Sequence, residues 1–306
     1  MARTNSVFPP PFQALQQIVR TALAEDLSGG DITSNLIIDD SFQAHARITA
    51  KQPLVVAGIL VAQETFRQVD PTLQVTIYQK DGQWMPKAGT VMTISGQARS
   101  LLKGERVALN FLQRLSGIST LTHRCCQAIK GSSPILTDTR KTTPGLRILE
   151  KWAVRLGGGH NHRSALHDGI LIKDNHLAIL DAHHIGITQA CLRAKAHAPH
   201  GLKICVEVEN LKQVNQAILG KADIILLDNM SPTQVRQAIA KIKGRAITEV
   251  SGGITLDNLR DMAHAQPDYI SMGVLTHSAP SMDFTMEISP PSHKRRPANL
   301  KRASTR

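Results

Sequence analysis

The spacing of apolar residues predicts one helix near the start of the chain and a mixed region of strands and helix after it. Between residues 11 and 26, apolar side chains recur every three or four positions and form one stripe. Gly29 and Gly30 then end the helical pattern. Residues 44–97 contain short β-rich runs, within which residues 58–69 have a helical pattern. These elements predict an α+β module.

A long helical stretch separates this module from a region with a different rhythm. Residues 101–129 have a helical pattern, in which Gly104 and Gly117 indicate breaks or positions of close packing. We place a domain boundary near Ser116. After Pro134, short apolar runs alternate with amphipathic stretches, as in parallel strands joined by helices. The strand candidates are ILTD, GILIK, KICVEVE, DIILLD, AITEV and DYISM. Polar residues follow each run, and in a parallel barrel these strand ends surround one mouth.

The composition is that of a folded globular protein. Its 306 residues are 42% hydrophobic and 20% charged, which argues against a disordered, collagen-like or disulfide-scaffold chain. No apolar stretch approaches the ~20 residues that cross a bilayer, and the first residues lack the apolar core of a signal peptide. The four cysteines lack metal-ligand spacing, and the adjacent Cys125 and Cys126 are poor disulfide partners. We expect a soluble, cytoplasmic protein with no membrane association.

The formal net charge of +12 is concentrated near the end of the chain. Residues 292–306 contain six Lys or Arg and no acid, which is half of the excess. We predict that residues 290–306 form a basic, disordered tail. Contact of this tail with RNA or a membrane is the alternative, but it rests on charge alone. We therefore expect no nucleic-acid partner.

Four cations are expected at the predicted mouth. Arg140 and Lys141 follow the first strand, Arg163 follows a run of three glycines, and Lys173 closes the second strand. A lysine that closes a buried strand must reach water, a carboxylate or a ligand, because an unpaired buried charge is costly. The four charges predict a substrate with several negative groups. A solvated basic loop is the alternative for the Arg140-Lys141 pair.

Carboxylates follow the third and fourth strands. Glu207 and Glu209 lie two apart and face one side of the sheet, and Asp228 closes the next strand. So few oxygen ligands suit Mg²⁺, which keeps several waters and sits between carboxylates and substrate phosphates. Neutralisation of the cations is their other interpretation. His160 and His162 have the spacing of two metal ligands, but no third follows nearby, so zinc is disfavoured.

Glycine follows the last two strands, at positions typical of a phosphate site. Ser251, Gly252 and Gly253 follow one strand, and Gly273 follows the next. Glycine allows backbone N–H groups to point at an anion, as in barrels that bind phosphate after their last two strands. Tight turns are the alternative interpretation.

Taken together, these motifs resemble the quinolinate phosphoribosyltransferase family, the decarboxylating nicotinate-nucleotide pyrophosphorylases of NAD biosynthesis. The matching stretches are GERVALNFLQRLSGIST, DTRKTTPGLR, GGGHNHR, GILIKDNH, VEVEN, IILLDNM, EVSGGIT and ISMGVLTHS. They run in order within residues 23–288, nearly the whole chain. The resemblance implies an α/β fold: an N-terminal α/β sandwich domain over residues 1–115, and an incomplete α/β barrel of about seven strands over residues 116–289.

The resemblance also implies the reaction and the residues that perform it. Phosphoribosyl passes from phosphoribosyl pyrophosphate (PRPP) to quinolinate, with decarboxylation, to give nicotinate mononucleotide, pyrophosphate and CO2. Lys141 is expected between the two substrates, while Glu207 and Asp228 hold the ribose hydroxyls and Mg²⁺. The quinolinate pocket is expected to contain Arg140, His162, Arg163, Lys173 and, across a homodimer with shared sites, Arg106 of the partner subunit. The expected binders of the 5′-phosphate are Ser251, Gly252, Gly253 and Gly273.

Two other enzyme classes share part of this pattern. A phosphoribosyltransferase that acts on another anionic base, such as nicotinate, would release no CO2. A phosphate-binding barrel isomerase or aldolase would share the Ser-Gly-Gly motif and a barrel lysine. That enzyme would not need the paired cations at residues 140–141 and 162–163, and it would turn over without PRPP.

Overall fold

A computed structural model describes residues 7–291 and contains the predicted mixed α/β fold. The helices are α1 (Phe12–Leu27), α2 (Ile32–Ile37), α3 (Ile59–Val69), α4 (Ala98–Ala128), α5 (Arg147–Leu156), α6 (Asp174–Asp181), α7 (Ile187–His197), α8 (Leu211–Leu219), α9 (Pro232–Ile242), α10 (Leu259–Ala263) and α11 (Val274–His277). The strands are β1 (Gln43–Ala50), β2 (Leu54–Val55), β3 (Gln74–Ile77), β4 (Trp84–Met85), β5 (Gly89–Gln97), β6 (Ile135–Thr137), β7 (Ile170–Ile172), β8 (Ile204–Val208), β9 (Ile224–Asp228), β10 (Ile247–Ser251), β11 (Tyr269–Ser271) and β12 (Phe284–Ser289). The predicted tail, residues 290–306, lies outside the described residues except for its first two positions.

The N-terminal part is an antiparallel sheet covered by α3 and α4. Its strand order is β12-β1-β5-β3, and β1 alternates exposed and buried residues, so one face lies on a core. Ile48, Met92 and Phe66 are fully buried there. At the end of the predicted barrel range of 116–289, β12 returns to pair with β1 in this sheet. The reason is packing: Phe284 and Met286 of β12 fill the same core.

All six predicted parallel strands form one sheet, in the order β6-β11-β10-β9-β8-β7. A single parallel bridge joins Thr137 of β6 to His160, which extends that edge by one residue. One face of the strands packs against the surrounding helices through side chains such as Val206, Ile225 and Val250. The opposite face, which includes Glu249, lines the interior of the incomplete barrel.

One continuous helix, α4, connects the two parts without a linker. The predicted helical region is confirmed, and its glycines are positions of close packing rather than breaks. A Cβ at Gly104 would lie 2.7 Å from the Phe66 ring, and a Cβ at Gly117 would overlap the carbonyl oxygen of Pro280. Within residues 7–291, no helix is both long and apolar enough to span a membrane.

Gly117 is expected to be intolerant of any side chain. Gly117→Ala should lower the free energy of unfolding by about 1–3 kcal/mol, because the clash with a backbone carbonyl outweighs the helix propensity of alanine. Urea denaturation would measure the loss. Gly29→Ala is the control, since a methyl group added there would have no atom within 4 Å and the backbone is unstrained. Equal stability of the two variants would contradict this account of α4.

Candidate active site

The carboxyl ends of the parallel strands bring together all predicted site residues except Arg106. The segment after β6 carries Arg140 and Lys141, and Lys173 directly follows β7. The remaining positions lie at or just after the ends of β8, β9, β10 and β11, or just after the His160 bridge. They are His162, Arg163, Glu207, Asp228, Ser251, Gly252, Gly253 and Gly273. Parallel pairing explains this convergence, since every strand of such a sheet ends at the same edge.

Two arginines have guanidinium N–H groups left free for a ligand. Nε of Arg140 and Nε of Arg163 are both buried and have no hydrogen-bond partner within residues 7–291. One Nη of Arg163 donates to the carbonyl of Gly169 at 2.7 Å. Burial and the nearby Arg140 lower the pKa of Arg163 from its usual value. Two unpaired, planar donors close to each other suit an anion with more than one carboxylate.

Lys173 and two carboxylates lie together at the mouth. Nζ of Lys173 lies 3.1 Å from Oε1 of Glu207. Burial raises the pKa of Glu207, Lys173 counteracts this effect, and the charge of Asp228 adds to it. A cavity of about 410 Å³ beside them is lined by acidic and amide side chains, which include Asp174 and Glu209, and by aliphatic side chains such as Ile187. The mouth therefore carries a partly neutralised acid pair, Glu207 and Asp228, at the edge of a cavity with several carboxylate and amide groups.

The side chain of Lys141 extends from the loop after β6 to Gly273, the glycine that follows β11. A Cβ at Gly273 would lie 2.9 Å from Cδ of Lys141, so the lysine stem crosses this glycine closely. The backbone of Lys141 is held on both sides: its N–H donates to Thr139 Oγ1, and its carbonyl accepts from Thr276 Oγ1. Its ammonium forms no ion pair within residues 7–291. The backbone of Lys141 is therefore fixed, and its ammonium group is available to a ligand beside the predicted phosphate site.

The Ser251-Gly252 turn is joined to the neighbouring strand by Asn229, a residue that the sequence analysis did not identify. The Asn229 N–H donates to the carbonyl of Ser251, and its amide Nδ2 donates to Asp228 at 2.8 Å. Gly252 has φ +91, and a Cβ there would lie 2.6 Å from Cγ of Asn229. Only glycine fits both the backbone conformation and this close approach.

A buried ion pair between Asp138 and Lys151, also missed from the sequence, ties two site loops together. Their side chains are 0% and 5% exposed, and Nζ lies 2.5 Å from Oδ1. The same carboxylate accepts from the N–H of His162 at 2.8 Å and from Nδ2 of Asn161 at 2.6 Å. Burial raises the pKa of Asp138, and these donors act in the opposite direction. The arrangement fixes the loop of Arg140 relative to that of His162.

A second buried carboxylate, Glu150, fixes the loop from the other side. It is fully buried and accepts hydrogen bonds from Arg114 of α4 and from the N–H and Oγ1 of Thr143. Arg114 also donates to the carbonyls of Thr276 and Ala279. Sequence spacing carried no signal for either network, because their members are far apart along the chain or lie inside a helix.

Arg106 is the predicted site residue that this structure leaves apart. It is exposed on α4, and it has no ion pair or hydrogen bond to the other mouth residues that the structure describes. A single chain therefore does not assemble the complete predicted set.

Comparison with known proteins agrees with this geometry. The family model "Quinolinate phosphoribosyl transferase, C-terminal domain" matches residues 118–287, and the corresponding N-terminal domain model matches residues 31–116. The "probable nicotinate-nucleotide pyrophosphorylase (carboxylating)" of Bacillus subtilis is 41% identical over 275 residues, which cover 90% of this chain and 93% of that protein. A quinolinate phosphoribosyltransferase (decarboxylating) of Nicotiana glauca is 35% identical over 92% of this chain and 85% of its own length.

A solved structure shows the same architecture. The nicotinate-nucleotide pyrophosphorylase of Francisella tularensis superposes with a TM-score of 0.86 at 36% identity, over 94% of this chain and all of that one. The human nicotinic acid phosphoribosyltransferase, at 13% identity and a TM-score of 0.60, shares the fold alone.

Lys151 is expected to be essential for stability although it lies outside the substrate pocket. Lys151→Met leaves the Asp138 carboxylate buried without its cation, and the free energy of unfolding should fall by about 3–5 kcal/mol. Lys195→Met is the matched control, because its partner Asp223 is one-third exposed, and the loss should be at most about 1 kcal/mol. Urea denaturation of both variants distinguishes the two environments, and equal losses would contradict the role given to the buried pair.

Proposed function

The chain belongs to the quinolinate phosphoribosyltransferase family, and on this premise we propose that it converts quinolinate and PRPP to nicotinate mononucleotide, pyrophosphate and CO2. The observation that carries the proposal is the meeting of three kinds of group at one mouth. These are two arginines with unpaired buried N–H groups, an acid pair, and glycine turns that suit a phosphate. The curated relatives named above carry the same activity in their names.

Electrostatics makes the cationic wall necessary. Quinolinate is a dianion and PRPP a polyanion, so the two repel each other unless fixed positive charges lie between them. The free Nε groups of Arg140 and Arg163 are suited to carboxylates, and one fork for each carboxylate also orients the pyridine ring. Lys141, which crosses Gly273, is placed to serve both substrates.

Glu207 and Asp228 suit the sugar. As pyrophosphate leaves C1 of the ribose, positive charge develops on the sugar, and carboxylates at its hydroxyls stabilise that charge. The quinolinate nitrogen attacks from the opposite face, so no covalent intermediate with the protein is required. The pair lies at the ends of neighbouring strands, where Lys173 offsets part of its charge.

Decarboxylation needs no additional electron sink. Once the ring nitrogen carries the ribose, the pyridinium accepts the electrons left at the adjacent carbon when CO2 departs. The protein's part is to hold the ring and to provide a proton to that carbon. Lys141 or a water bound near it is our candidate donor.

Glu207 and Asp228 also fit a bound Mg²⁺. Both residues line the cavity described above together with other carboxylates, and carboxylate oxygens suit a hard cation. Within residues 7–291, no group of three acidic, His or Cys side chains is placed to hold a metal ion. A bound Mg²⁺ would therefore take some of its ligands from PRPP. When bound, Mg²⁺ neutralises charge on the pyrophosphate leaving group.

We infer that the active unit is a homodimer in which Arg106 of the partner subunit completes each quinolinate pocket. Arg106 is exposed and has no described partner in its own chain. Large apolar side chains near the N-terminus also lack cover: Phe8, Ile32 and Leu36 are 71–84% exposed. Such a surface is typical of an interface.

The cytoplasmic location remains a prediction, supported by four cysteines that are free thiols.

Product analysis tests the proposed reaction. With carboxyl-labelled quinolinate, PRPP and Mg²⁺, we expect labelled CO2 and nicotinate mononucleotide in equal amounts, and a chelator should stop both. Nicotinate in place of quinolinate is the control for the related phosphoribosyltransferases. Turnover of nicotinate but not of quinolinate, or turnover without PRPP, would replace the proposal with one of its alternatives.

Subunit mixing tests the shared site. Arg106→Ala and Lys141→Ala proteins should each be inactive, because every site in either dimer lacks one required cation. A mixed dimer contains one site with both cations, so mixing should restore up to about one-quarter of the activity after random exchange. Exchange would be confirmed with subunits carrying different tags. No recovery after confirmed exchange would show that Arg106 acts within its own subunit.

A further inference from the structure

Glu249 is a buried carboxylate beside the pocket, and the proposed chemistry gives it no role. It lies in the middle of β10, is 4% exposed, and pairs in register with Leu226, which also pairs with Glu207. All three therefore face the barrel interior. Oε1 of Glu249 is buried and forms no hydrogen bond within residues 7–291. A buried charged oxygen without such a partner costs stability, so it requires another explanation.

Among residues 7–291, His162 is the residue whose side chain lies within ion-pair distance of Glu249. Nε2 of His162 lies 3.4 Å from Oε1 of Glu249. Nδ1 of the same ring accepts a hydrogen bond from the backbone N–H of Arg163 at 2.8 Å. A ring nitrogen that accepts carries no proton, so the proton is on Nε2, the nitrogen that lies near the Glu249 carboxylate without forming a hydrogen bond to it. Nδ1 of His162 is therefore hydrogen-bonded to the backbone, and Nε2 lies within electrostatic reach of Glu249.

The orientation of this ring sets the backbone from which Arg163 extends. Asp138 and Lys151 already hold the peptide groups of His162, and the ring holds the next N–H. Arg163 then runs along Gly169, whose added Cβ would lie 3.3 Å from Cβ of Arg163. If the ring turned, Nδ1 would leave the Arg163 N–H, and the aim of the guanidinium would change.

Packing alone does not hold the ring. A cavity of about 360 Å³ lies against these side chains, and it is lined by residues that include His162, Arg163, Cys205, Glu249 and Tyr269. Side chains next to such a space lack the close contacts that fix rotamers in a dense core. Attraction to the Glu249 carboxylate is the force on the Nε2 side that opposes rotation.

We propose that Glu249 is a positioning residue, which holds the imidazole of His162 so that His162 aims Arg163 at a carboxylate of the pyridine dicarboxylate. The inference rests on the proposed function for the identity of that ligand. Glu249 itself does not touch the substrate. Its buried charge lowers folding stability, and its effect is to fix the orientation of His162 and so of Arg163.

Replacement of Glu249 tests the proposal. Glu249→Met removes the charge and fills similar space, so the urea midpoint should be equal or higher, whereas KM for quinolinate should rise about tenfold or more. KM for PRPP should stay within about twofold, since the ribose binders Glu207 and Asp228 lie on other strands and the phosphate turn after β10 is held by its own hydrogen bond to Asn229. Glu249→Gln, which keeps a partly negative oxygen near Nε2, should recover most of the quinolinate affinity.

Thr248→Val is the matched control on the same strand. Thr248 is equally buried but faces the other side of the sheet, where its hydroxyl donates to Asp268 at 2.7 Å. This variant should lose stability and keep both KM values. A lower urea midpoint for Glu249→Met, with quinolinate and PRPP affected alike, would make Glu249 a structural residue and overturn the proposal. Unchanged kinetics would also overturn it.

The tautomer of His162 gives a readout that does not depend on turnover. In protein labelled with 15N-histidine, the His162 signals, assigned by their absence in His162→Asn, should show the Nε2–H tautomer in the wild type. Glu249→Met should give a mixture of tautomers. An unchanged tautomer would overturn the proposal, even in a protein that did not use quinolinate. Failure of the wild type to use quinolinate would instead refute the proposed function.

Discussion

The site depends on one buried carboxylate. Asp138 directly follows the first barrel strand, β6, and accepts hydrogen bonds from Lys151, Asn161 and the backbone of His162. It therefore joins the loop that carries Arg140 to the turn that carries Arg163. Each of those arginines keeps a buried N–H without a partner among the described residues, and they lie close enough to lower the pKa of Arg163. Two repelling cations remain close only where the backbone beneath them is fixed, and Asp138 supplies that fixed point.

The carboxylates in and around the site divide into two kinds. Asp138 and Glu150 are fully buried and are satisfied by several donors each, so they serve the scaffold. Glu207 is partly exposed and only partly neutralised by Lys173, and Oε1 of Glu249 has no hydrogen-bond partner in the part of the chain that the structure describes. Incomplete satisfaction is costly, and it is concentrated where a ligand is expected to supply the missing partners or where a neighbouring group must be aimed.

The sequence predicted what depends on local pattern. The six apolar runs became the six strands of one sheet, and the polar residue that ends each run lies at the common edge. It did not predict β12, because a short strand near the end of a chain carries no signal of its distant partner β1. Asn229 was missed because its role comes from contact with Gly252 on the next strand. Lys151 was missed because a lysine on a helix is usually solvated, and nothing local reveals that this one meets Asp138.

Helix α4 gives the two parts of the chain a fixed relation, and this relation matters for a site shared between subunits. Arg106 and Arg114 lie on this helix, about 12 Å apart along its axis and about 80° apart around it. Arg114 is bound to Glu150 and to the carbonyl of Thr276, so it is attached to the barrel of its own subunit. Arg106 faces outward on the same rigid element. In the proposed dimer, the same helix therefore joins the Glu150 network of one subunit's barrel to the arginine that this subunit offers to its partner.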